Sequence, residues 1–244
     1  MIDEFWSQPD VVQQFASREP DHRLMAILAD TPHGAPLKVL DLGCAGGRNT
    51  VLAAEHGLDV WAVDASPPMV ERTRERLVPL IGAEKATARV EVGRMDDLSV
   101  FDDGFFDLIV ALGIYHNARS RDEWEAAIAE SARVLRPRGR LLVNHFTPEV
   151  DLTGEGVAAV PDRRDEYDGF PGGRVVLMDA KALDRAMAGH GLRPLTSSET
   201  IRVEAPPGRR VSVNAFYERE VGSLPAASSS ERERGSIRTP SSSR

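Results

Sequence analysis

A glycine-rich turn directly after a short apolar strand constrains the fold of this chain more than any other feature. Residues 38–42 are mostly apolar and end at Gly43, as is typical of a strand buried on both faces. The turn runs to Arg48, and a helix is predicted over 49–56 with Gly57 as its left-handed C-cap. Such a turn lets a ligand approach the backbone beside the positive end of a helix. The pattern predicts an α/β protein with a ligand at this turn.

Strands and helices continue to alternate along the rest of the chain. The further predicted strands cover 59–64, 89–92, 106–111, 140–146, 194–204 and 210–217, and the further helices cover 21–29, 66–78, 120–135 and 179–190. Alternation at this spacing implies a parallel sheet with helices on both faces. Residues 147–178 interrupt it with many glycines and prolines, and a long insertion of this kind is usually functional or disordered.

Charge and composition exclude several classes of protein. The 244 residues carry a net charge of −8, and 41% of them are hydrophobic, which is enough for a globular core. The Ser-rich segment 223–244 contains four Arg and two Glu, so residues 1–222 carry −10; we expect this tail to be disordered. An acidic surface disfavours nucleic acid as a partner. Cys44 is the only cysteine, which excludes a disulfide framework and a cysteine-built zinc site, and no metal is predicted.

An acidic residue at the end of the second predicted strand indicates what the turn binds. Asp64 follows Asp41 by 23 residues, the spacing at which a carboxylate reaches the ribose hydroxyls of a nucleoside cofactor. A dinucleotide turn would need G-x-G-x-x-G, but Ala45 and Arg48 stand where its second and third glycines belong. No Gly-Lys-Ser/Thr follows either, which argues against a P-loop. The sequence therefore indicates an adenosine-bearing ligand other than a dinucleotide.

The turn resembles motif I of the class I S-adenosylmethionine-dependent methyltransferases. That motif reads D-x-G-x-G-x-G, and here Ala45 replaces its middle glycine. The resemblance covers residues 37–146, with Arg94 standing where many relatives carry an acid. Four later landmarks agree in order: Asp64-Ala65-Ser66, Gly93-Arg94-Met95-Asp96-Asp97-Leu98, Phe106-Asp107 and Leu135-Arg136-Pro137-Arg138-Gly139.

The resemblance implies a Rossmann-like methyltransferase fold with a seven-stranded, mainly parallel sheet that has one antiparallel strand. It implies S-adenosyl-L-methionine as the cofactor and S-adenosyl-L-homocysteine as the product, with Met95 against the adenine, Asp96 at its exocyclic amine and Arg48 on the methionine carboxylate. The candidate cofactor-binding residues are Asp41, Gly43, Cys44, Ala45, Gly47, Arg48, Asp64, Ala65, Met69, Met95, Asp96, Ala111 and Leu112.

Candidate catalytic residues follow the fourth and fifth strands, where the acceptor approaches in this family. Tyr115 and His116 follow the fourth strand, and His145 lies at the end of the fifth. A base is needed only if the acceptor loses a proton near the transition state. The alternative for each side chain is packing in the core or a hydrogen bond to the backbone.

The organisation expected from the resemblance is an N-terminal helical lid over 1–30 and a methyltransferase domain over 31–222. Within that domain, 147–178 is expected to cover the substrate pocket, and Phe5, Trp6, Tyr167 and Phe170 to form an aromatic lid. The expected acceptor is a small molecule, methylated on O, N or S, with secondary metabolism as one setting. No apolar run could cross a membrane and the N-terminus is acidic, so a cytoplasmic monomer or homodimer is expected. A non-catalytic cofactor-binding module and a nicotinamide oxidoreductase are the alternatives.

Overall fold

The alternation of strands and helices predicted from the sequence is present in the computed structural model, which describes residues 6–222. The helices are α1 Pro9–Ala16, α2 His22–Ala29, α3 Arg48–Glu55, α4 Pro67–Ile81, α5 Ala83–Arg89, α6 Arg121–Val134 and α7 Ala180–Gly189. The strands are β1 Lys38–Leu42, β2 Asp59–Asp64, β3 Val90–Val92, β4 Phe106–Leu112, β5 Leu135–Phe146, β6 Ala158–Ala159, β7 Glu166–Phe170, β8 Gly173–Val176, β9 Leu192–Pro194, β10 Glu199–Ala205 and β11 Gly208–Arg219.

The main sheet has the order β10-β11-β5-β4-β1-β2-β3, with β9 also pairing with β11. The five strands from β5 to β3 pair in parallel, and β11 is antiparallel to β5, β9 and β10. The described chain therefore places eight strands in this sheet where seven were predicted. The mainly parallel α/β fold with β11 as the one reversed strand is confirmed. The extra strand arises because the segment predicted over 194–204 is divided into β9 and β10.

Alternate residues of the central strands supply two separate apolar cores. On one face, Leu40 and Ile109 pack with Trp124 of α6 and Leu183 of α7. On the other face, the neighbouring strand residues join helices α2 to α5 in a second cluster that includes Leu24, Val39, Ala53, Val60, Val70, Leu77, Ala86 and Leu108. Consecutive residues of one strand point to opposite cores, so both faces of the strand are buried. This burial explains why the strand sequences are nearly continuous apolar runs.

Side-chain caps fix where several helices begin. Ser120 accepts a hydrogen bond from the Glu123 amide at 3.2 Å and begins α6 as predicted. Asp179 caps α7 in the same way. Ser66 precedes α4 but makes no side-chain cap; its hydroxyl instead donates to the Trp6 carbonyl at 3.1 Å. The hydroxyl therefore ties the N-terminal segment to the end of β2.

The insertion at 147–178 is ordered by a small antiparallel sheet of β6, β7 and β8, which the sequence did not predict. Its buried side chains form a third apolar cluster around Phe146 and Val175, with Tyr167 and Phe170 packed against it. A sheet of so few strands needs such an apolar cluster on one face to be stable. No helix in the described part of the chain combines the length and apolar character that crossing a membrane requires.

Candidate functional site

The glycine-rich turn after β1 adopts the left-handed backbone that its sequence requires. Gly43 and Gly47 have φ values of 74° and 78°. A Cβ on Gly43 would lie 2.9 Å from side-chain atoms of Ile114, so a larger residue would displace the loop after β4. Ala45 also has positive φ, 49°, although it replaces the middle glycine of the motif. The turn therefore keeps its motif I backbone despite the substitution.

Asp64 holds this turn against the end of β2. Its carboxylate accepts hydrogen bonds from the Ala45 and Ser66 amides, both at 2.9 Å. Burial raises the pKa of Asp64, and these two backbone hydrogen bonds oppose the rise. The carboxylate is thus positioned by backbone amides and lines the cavity described next.

A large cavity opens at the carboxyl edge of β1, β2 and β4 and encloses about 1100 Å³, including its open mouth. This is the edge at which parallel α/β sheets bind ligands. Its walls include ten of the thirteen predicted cofactor-binding residues. These ten are Gly43, Cys44, Ala45, Arg48, Asp64, Ala65, Met69, Met95, Asp96 and Leu112.

Three predicted cofactor-binding residues lie behind the cavity wall. Asp41 is buried and accepts a hydrogen bond from the Thr50 hydroxyl at 2.6 Å; burial raises its pKa to about 6. Gly47 begins α3 and lies against Thr73 of α4. Ala111 is fully buried in the core. In this structure the three residues support the turn and the sheet, and none of them lines the cavity.

Arg48 supplies an unmatched positive group to the cavity. Its Nε atom is buried and has no hydrogen-bond partner among the described residues. The side chain lines the cavity at the start of α3, where a cation opposes the helix dipole. A buried donor without a partner is costly, so a ligand carboxylate at this position would satisfy it. The chemistry of the site therefore fits the amino-acid end of the expected cofactor.

The opposite wall contains an ion network that was not predicted from the sequence. Arg94 donates to Asp96 at 2.9 Å and to Glu123 at 2.7 Å. Glu123 also accepts a hydrogen bond from the Arg119 amide at 2.8 Å. Arg94, at the position where many relatives carry an acid, therefore holds the Asp96 carboxylate in place. The network links the loop after β3 to the start of α6.

The three predicted catalytic side chains do not line the cavity. Tyr115 is fully buried, and its hydroxyl lies 2.7 Å from the Ser131 hydroxyl. His145 is also fully buried, and its Nε2 accepts a hydrogen bond from the Trp124 indole at 3.1 Å. Both are held in the core because the turn after β4 and the end of β5 direct them toward α6. Neither reaches a ligand in the cavity directly.

His116 is the predicted catalytic residue nearest the cavity. A Cβ built on Gly113, which lines the cavity, lies 3.7 Å from the His116 ring. The His116 Nδ1 atom is buried without a hydrogen-bond partner in the described chain. Burial lowers the pKa of His116 well below its usual value, and the charges of His145 and Arg210 lower it further. The imidazole is therefore neutral at physiological pH.

Aromatic residues of the N-terminal segment form part of the cavity wall. Trp6 and Phe15 both line it, and their ring centres are 5.1 Å apart in an edge-to-face arrangement. Tyr167 and Phe170, expected in the same aromatic lid, instead pack on the cluster of the small sheet. Phe5 lies outside the described residues. The aromatic wall thus comes from the N-terminus alone.

Several lining residues were not identified in the sequence as cofactor or catalytic residues. They include Leu42, Asn49, Val63, Ser66, Gly93, Arg94, Gly113, Ile114, Asn117, Arg119 and Glu123. Gly113 and Asn117 follow the fourth strand, so position after a strand end was the available signal. Glu123 lies on a helix surface in the sequence pattern, and nothing local distinguishes it from an ordinary solvent-facing acid.

A family model described as a methyltransferase domain matches residues 39–139, which span the glycine turn, β2, β4 and the start of β5. Solved methyltransferases share the fold: one from Methanosarcina mazei, dependent on S-adenosylmethionine, superposes with a TM-score of 0.57 at 18% identity, covering 76% of this chain and 93% of that one. Residues 39–139 therefore match a methyltransferase domain, and the chain shares the fold of solved methyltransferases.

Curated relatives of the chain differ in the substrates that their names give. It is 34% identical over 118 residues to demethylmenaquinone methyltransferase of Thermus thermophilus, covering 47% of this chain and 49% of that protein. It is 30% identical over 179 residues to 27-O-demethylrifamycin SV methyltransferase of Amycolatopsis mediterranei, covering 67% and 61%. The chain thus spans about half the length of the first relative and about three fifths of the second.

A second solved structure shares the methyltransferase fold. It is a Burkholderia thailandensis 1,6-didemethyltoxoflavin N1-methyltransferase, solved with its substrate and S-adenosylhomocysteine. The TM-score is 0.55 at 22% identity, and the superposition covers 82% of this chain and 80% of that one. At this identity the comparison establishes the fold alone.

Proposed function

We propose that this chain transfers a methyl group from S-adenosylmethionine to an O, N or S atom of a small-molecule acceptor. The observation that carries the proposal is one cavity lined by both Asp64 and the unpartnered Arg48. A carboxylate at the end of the second strand suits ribose hydroxyls, and a buried guanidinium suits a carboxylate. The methyltransferase relatives support the same reaction class.

The cavity residues have distinct proposed roles in holding the cofactor. Asp64 accepts from the ribose hydroxyls, Arg48 binds the methionine carboxylate, Met95 packs against the adenine, and Asp96 accepts from its exocyclic amine. When bound, the cofactor supplies an electrophilic methyl group that the acceptor takes by in-line displacement, leaving S-adenosylhomocysteine. The protein's main contribution is then to align the acceptor and to exclude water.

His116 is the proposed proton acceptor for substrates that must be deprotonated. Its neutral imidazole lies behind Gly113, and its Nδ1 has no partner within the described residues. His145 has a positioning role in this proposal, since the His116 and His145 rings are 5.9 Å apart in an edge-to-face arrangement. Tyr115, bonded to Ser131 of α6, is proposed to fix the turn that carries His116.

Segments outside the parallel strands complete the proposed enzyme. Residues 1–30 form the lid in this proposal, supported by the cavity contacts of Trp6 and Phe15. Residues 31–222 form the methyltransferase domain, in which 147–178 borders the acceptor. The net charge of −8 supports a small acceptor rather than a nucleic acid. A cytoplasmic monomer or homodimer acting in secondary metabolism completes the proposal.

Isothermal titration with S-adenosylhomocysteine and with 5′-methylthioadenosine, which lacks the amino-acid end, tests these assignments. We expect Asp64→Ala to weaken both ligands, because both carry the ribose. We expect Arg48→Gln to weaken S-adenosylhomocysteine by about tenfold or more and to leave 5′-methylthioadenosine nearly unchanged, as removal of one charged hydrogen bond predicts. Absence of S-adenosylhomocysteine binding to the wild type, or full affinity in Asp64→Ala, would refute the proposal.

Turnover separates an enzyme from a cofactor-binding module. Methyl transfer from radiolabelled S-adenosylmethionine to a panel of phenols, amines and thiols is the measurement. A wild type that binds cofactor but transfers no label to any acceptor class would favour the non-catalytic alternative.

A further inference from the structure

The Glu123 carboxylate connects two loops of the cavity wall. Near the start of α6, its Oε1 accepts a hydrogen bond from the Arg94 guanidinium at 2.7 Å and its Oε2 accepts one from the Arg119 amide at 2.8 Å. Arg94 lies in the loop after β3 and Arg119 in the loop after β4, and all three residues line the cavity. The Glu123 side chain is only 18% exposed. Because both of its oxygens are bonded, the carboxylate is a fixed anchor for Arg94.

Arg94 in turn fixes Asp96, which lies two residues further along the same loop. The Arg94 Nε is 2.9 Å from Oδ1 of Asp96, and Nη2 is 3.0 Å from Oδ2. A bidentate pair of this kind sets the direction of a carboxylate as well as its distance. Within residues 6–222, no other group donates a hydrogen bond to the Asp96 carboxylate. The orientation of this carboxylate therefore depends on Arg94.

The orientation of the Asp96 carboxylate decides which purine base suits the cavity. An ionised carboxylate only accepts hydrogen bonds. Adenine offers it an amine at C6, whereas hypoxanthine has a carbonyl oxygen at C6 and its N–H at the neighbouring N1. A carboxylate fixed at the C6 group bonds to adenine and repels the oxygen of hypoxanthine, but a mobile one can turn to N1–H. A site built around one donor strongly rejects the analogue that lacks it.

We propose that Arg94 is a positioning residue that sets the preference for an adenine-bearing cofactor. It holds Asp96 at the C6 amine, while Glu123 holds Arg94. This inference rests on the proposed function, in which Asp96 accepts from that amine. Arg94 acts through Asp96 and contacts no reacting atom.

Titration with S-adenosylhomocysteine and with S-inosylhomocysteine, in which a carbonyl oxygen replaces the C6 amine, tests the proposal. The two ligands have the same charge, ribose and amino-acid end, so the ratio of their dissociation constants reports on the base alone. We expect the wild type to prefer S-adenosylhomocysteine by about a hundredfold or more. We expect Arg94→Gln to reduce this ratio by about tenfold, because the released carboxylate can turn to N1–H. Arg94→Lys, which keeps the charge without the bidentate pairing, should recover only part of the ratio.

Asp96→Ala tests whether Arg94 acts through Asp96. We expect this variant to lose most of the preference, and the addition of Arg94→Gln to it should not change the ratio further. Glu123→Gln keeps an oxygen for the Arg119 amide but removes the charge that faces Arg94, so it should lower the ratio by less than Arg94→Gln does. A further change of the ratio in the double variant would overturn the proposal, because Arg94 would then act on the base independently of Asp96.

Arg174→Gln is the matched control, because Arg174 forms the same kind of bidentate pair away from the cavity. On the small sheet, its Nε and Nη2 lie 3.0 and 3.1 Å from the two carboxylate oxygens of Asp168, and neither residue lines the cavity. We expect this variant to keep the wild-type ratio. Equal changes in Arg174→Gln and Arg94→Gln would show a general charge effect and overturn the proposal.

The outcomes of these titrations separate this inference from the proposed function. Failure of the wild type to bind S-adenosylhomocysteine would refute the proposed function. Normal binding of S-adenosylhomocysteine with equal affinity for S-inosylhomocysteine would overturn the amine contact of Asp96 and the role of Arg94 with it. A preference that Asp96→Ala abolishes and Arg94→Gln leaves intact would overturn the role of Arg94 alone.

Discussion

Asp41 in β1 and Asp64 at the end of β2 have different roles in the structure. Each lies at or near the end of a strand, and burial raises the pKa of both. Asp64 reaches the cavity, while Asp41 is enclosed with the Thr50 hydroxyl. At the scale of single residues, the acid proposed to bind the ligand is therefore the less buried of the two, and the other is bonded to the first turn of α3.

The raised pKa of Asp41 predicts a specific pH dependence of stability. Its pKa is about 6 in the folded protein, against about 3.9 for an unperturbed aspartate, so the folded state binds this proton more tightly. The contribution of Asp41 to the free energy of unfolding is therefore most favourable below about pH 4 and falls as the pH rises to about 6. The full shift corresponds to about 3 kcal/mol.

Asp41→Asn removes this titration, and urea unfolding of the ligand-free protein between pH 4 and 7.5 measures the change. We expect the stability difference, wild type minus variant, to decrease by up to about 3 kcal/mol over this range. Asp102→Asn removes a carboxyl group from an exposed position outside the helices and strands, and it is the control for the substitution itself. A pH-independent difference for Asp41→Asn would contradict the burial argument.

At the scale of elements, α1 is held against the glycine turn by close backbone contact. A Cβ on Gly46 would lie 2.6 Å from the Ala16 Cα and 2.9 Å from the Ala16 amide nitrogen, and backbone atoms cannot rotate away. Arg76 donates to the carbonyls of both residues. The turn therefore positions the helix that brings Phe15 to the cavity.

Gly46→Ala is expected to displace α1 and to destabilise the protein by about 1–3 kcal/mol. Since Phe15 moves with α1, the affinity for S-adenosylhomocysteine should fall as well. Urea unfolding, titration and hydrogen exchange of the α1 amides measure the three effects. Gly189→Ala, where nothing lies within 4 Å of the added Cβ, should leave affinity unchanged. Unchanged exchange in α1 of the Gly46 variant would show that the contact is not needed.

At the scale of the whole molecule, the predicted tail can be separated from the methyltransferase domain. Every cavity-lining residue lies between Trp6 and Glu123, and the last strand of the sheet ends at Arg219. A chain ending at Gly222 is therefore expected to match the full chain in unfolding free energy and in S-adenosylhomocysteine affinity, by urea unfolding and titration. A clear loss of either property would assign residues 223–244 to the folded unit.

Local sequence determined the backbone plan and much of the cofactor site. The β1 turn, the position of Asp64 and the succession of strands along the chain through β5 follow from short-range signals, because strand length, glycine conformation and helix caps depend on neighbouring residues. Most predicted cofactor residues line the cavity for the same reason: they lie on the turns that leave the parallel strands. Arg94 stands where many relatives carry an acid, and this difference could be seen in the sequence. The ion pair of Arg94 with Glu123 could not be predicted from it.

Only the tertiary structure decided which side chains reach the cavity from farther along the chain. Tyr115 and His145 follow the expected strands, yet packing against α6 directs both into the core. Trp6 reaches the end of β2, where its carbonyl accepts from Ser66 across 60 residues. Sequence spacing fixes where a strand ends, whereas long-range packing fixes the direction of a side chain beyond that end.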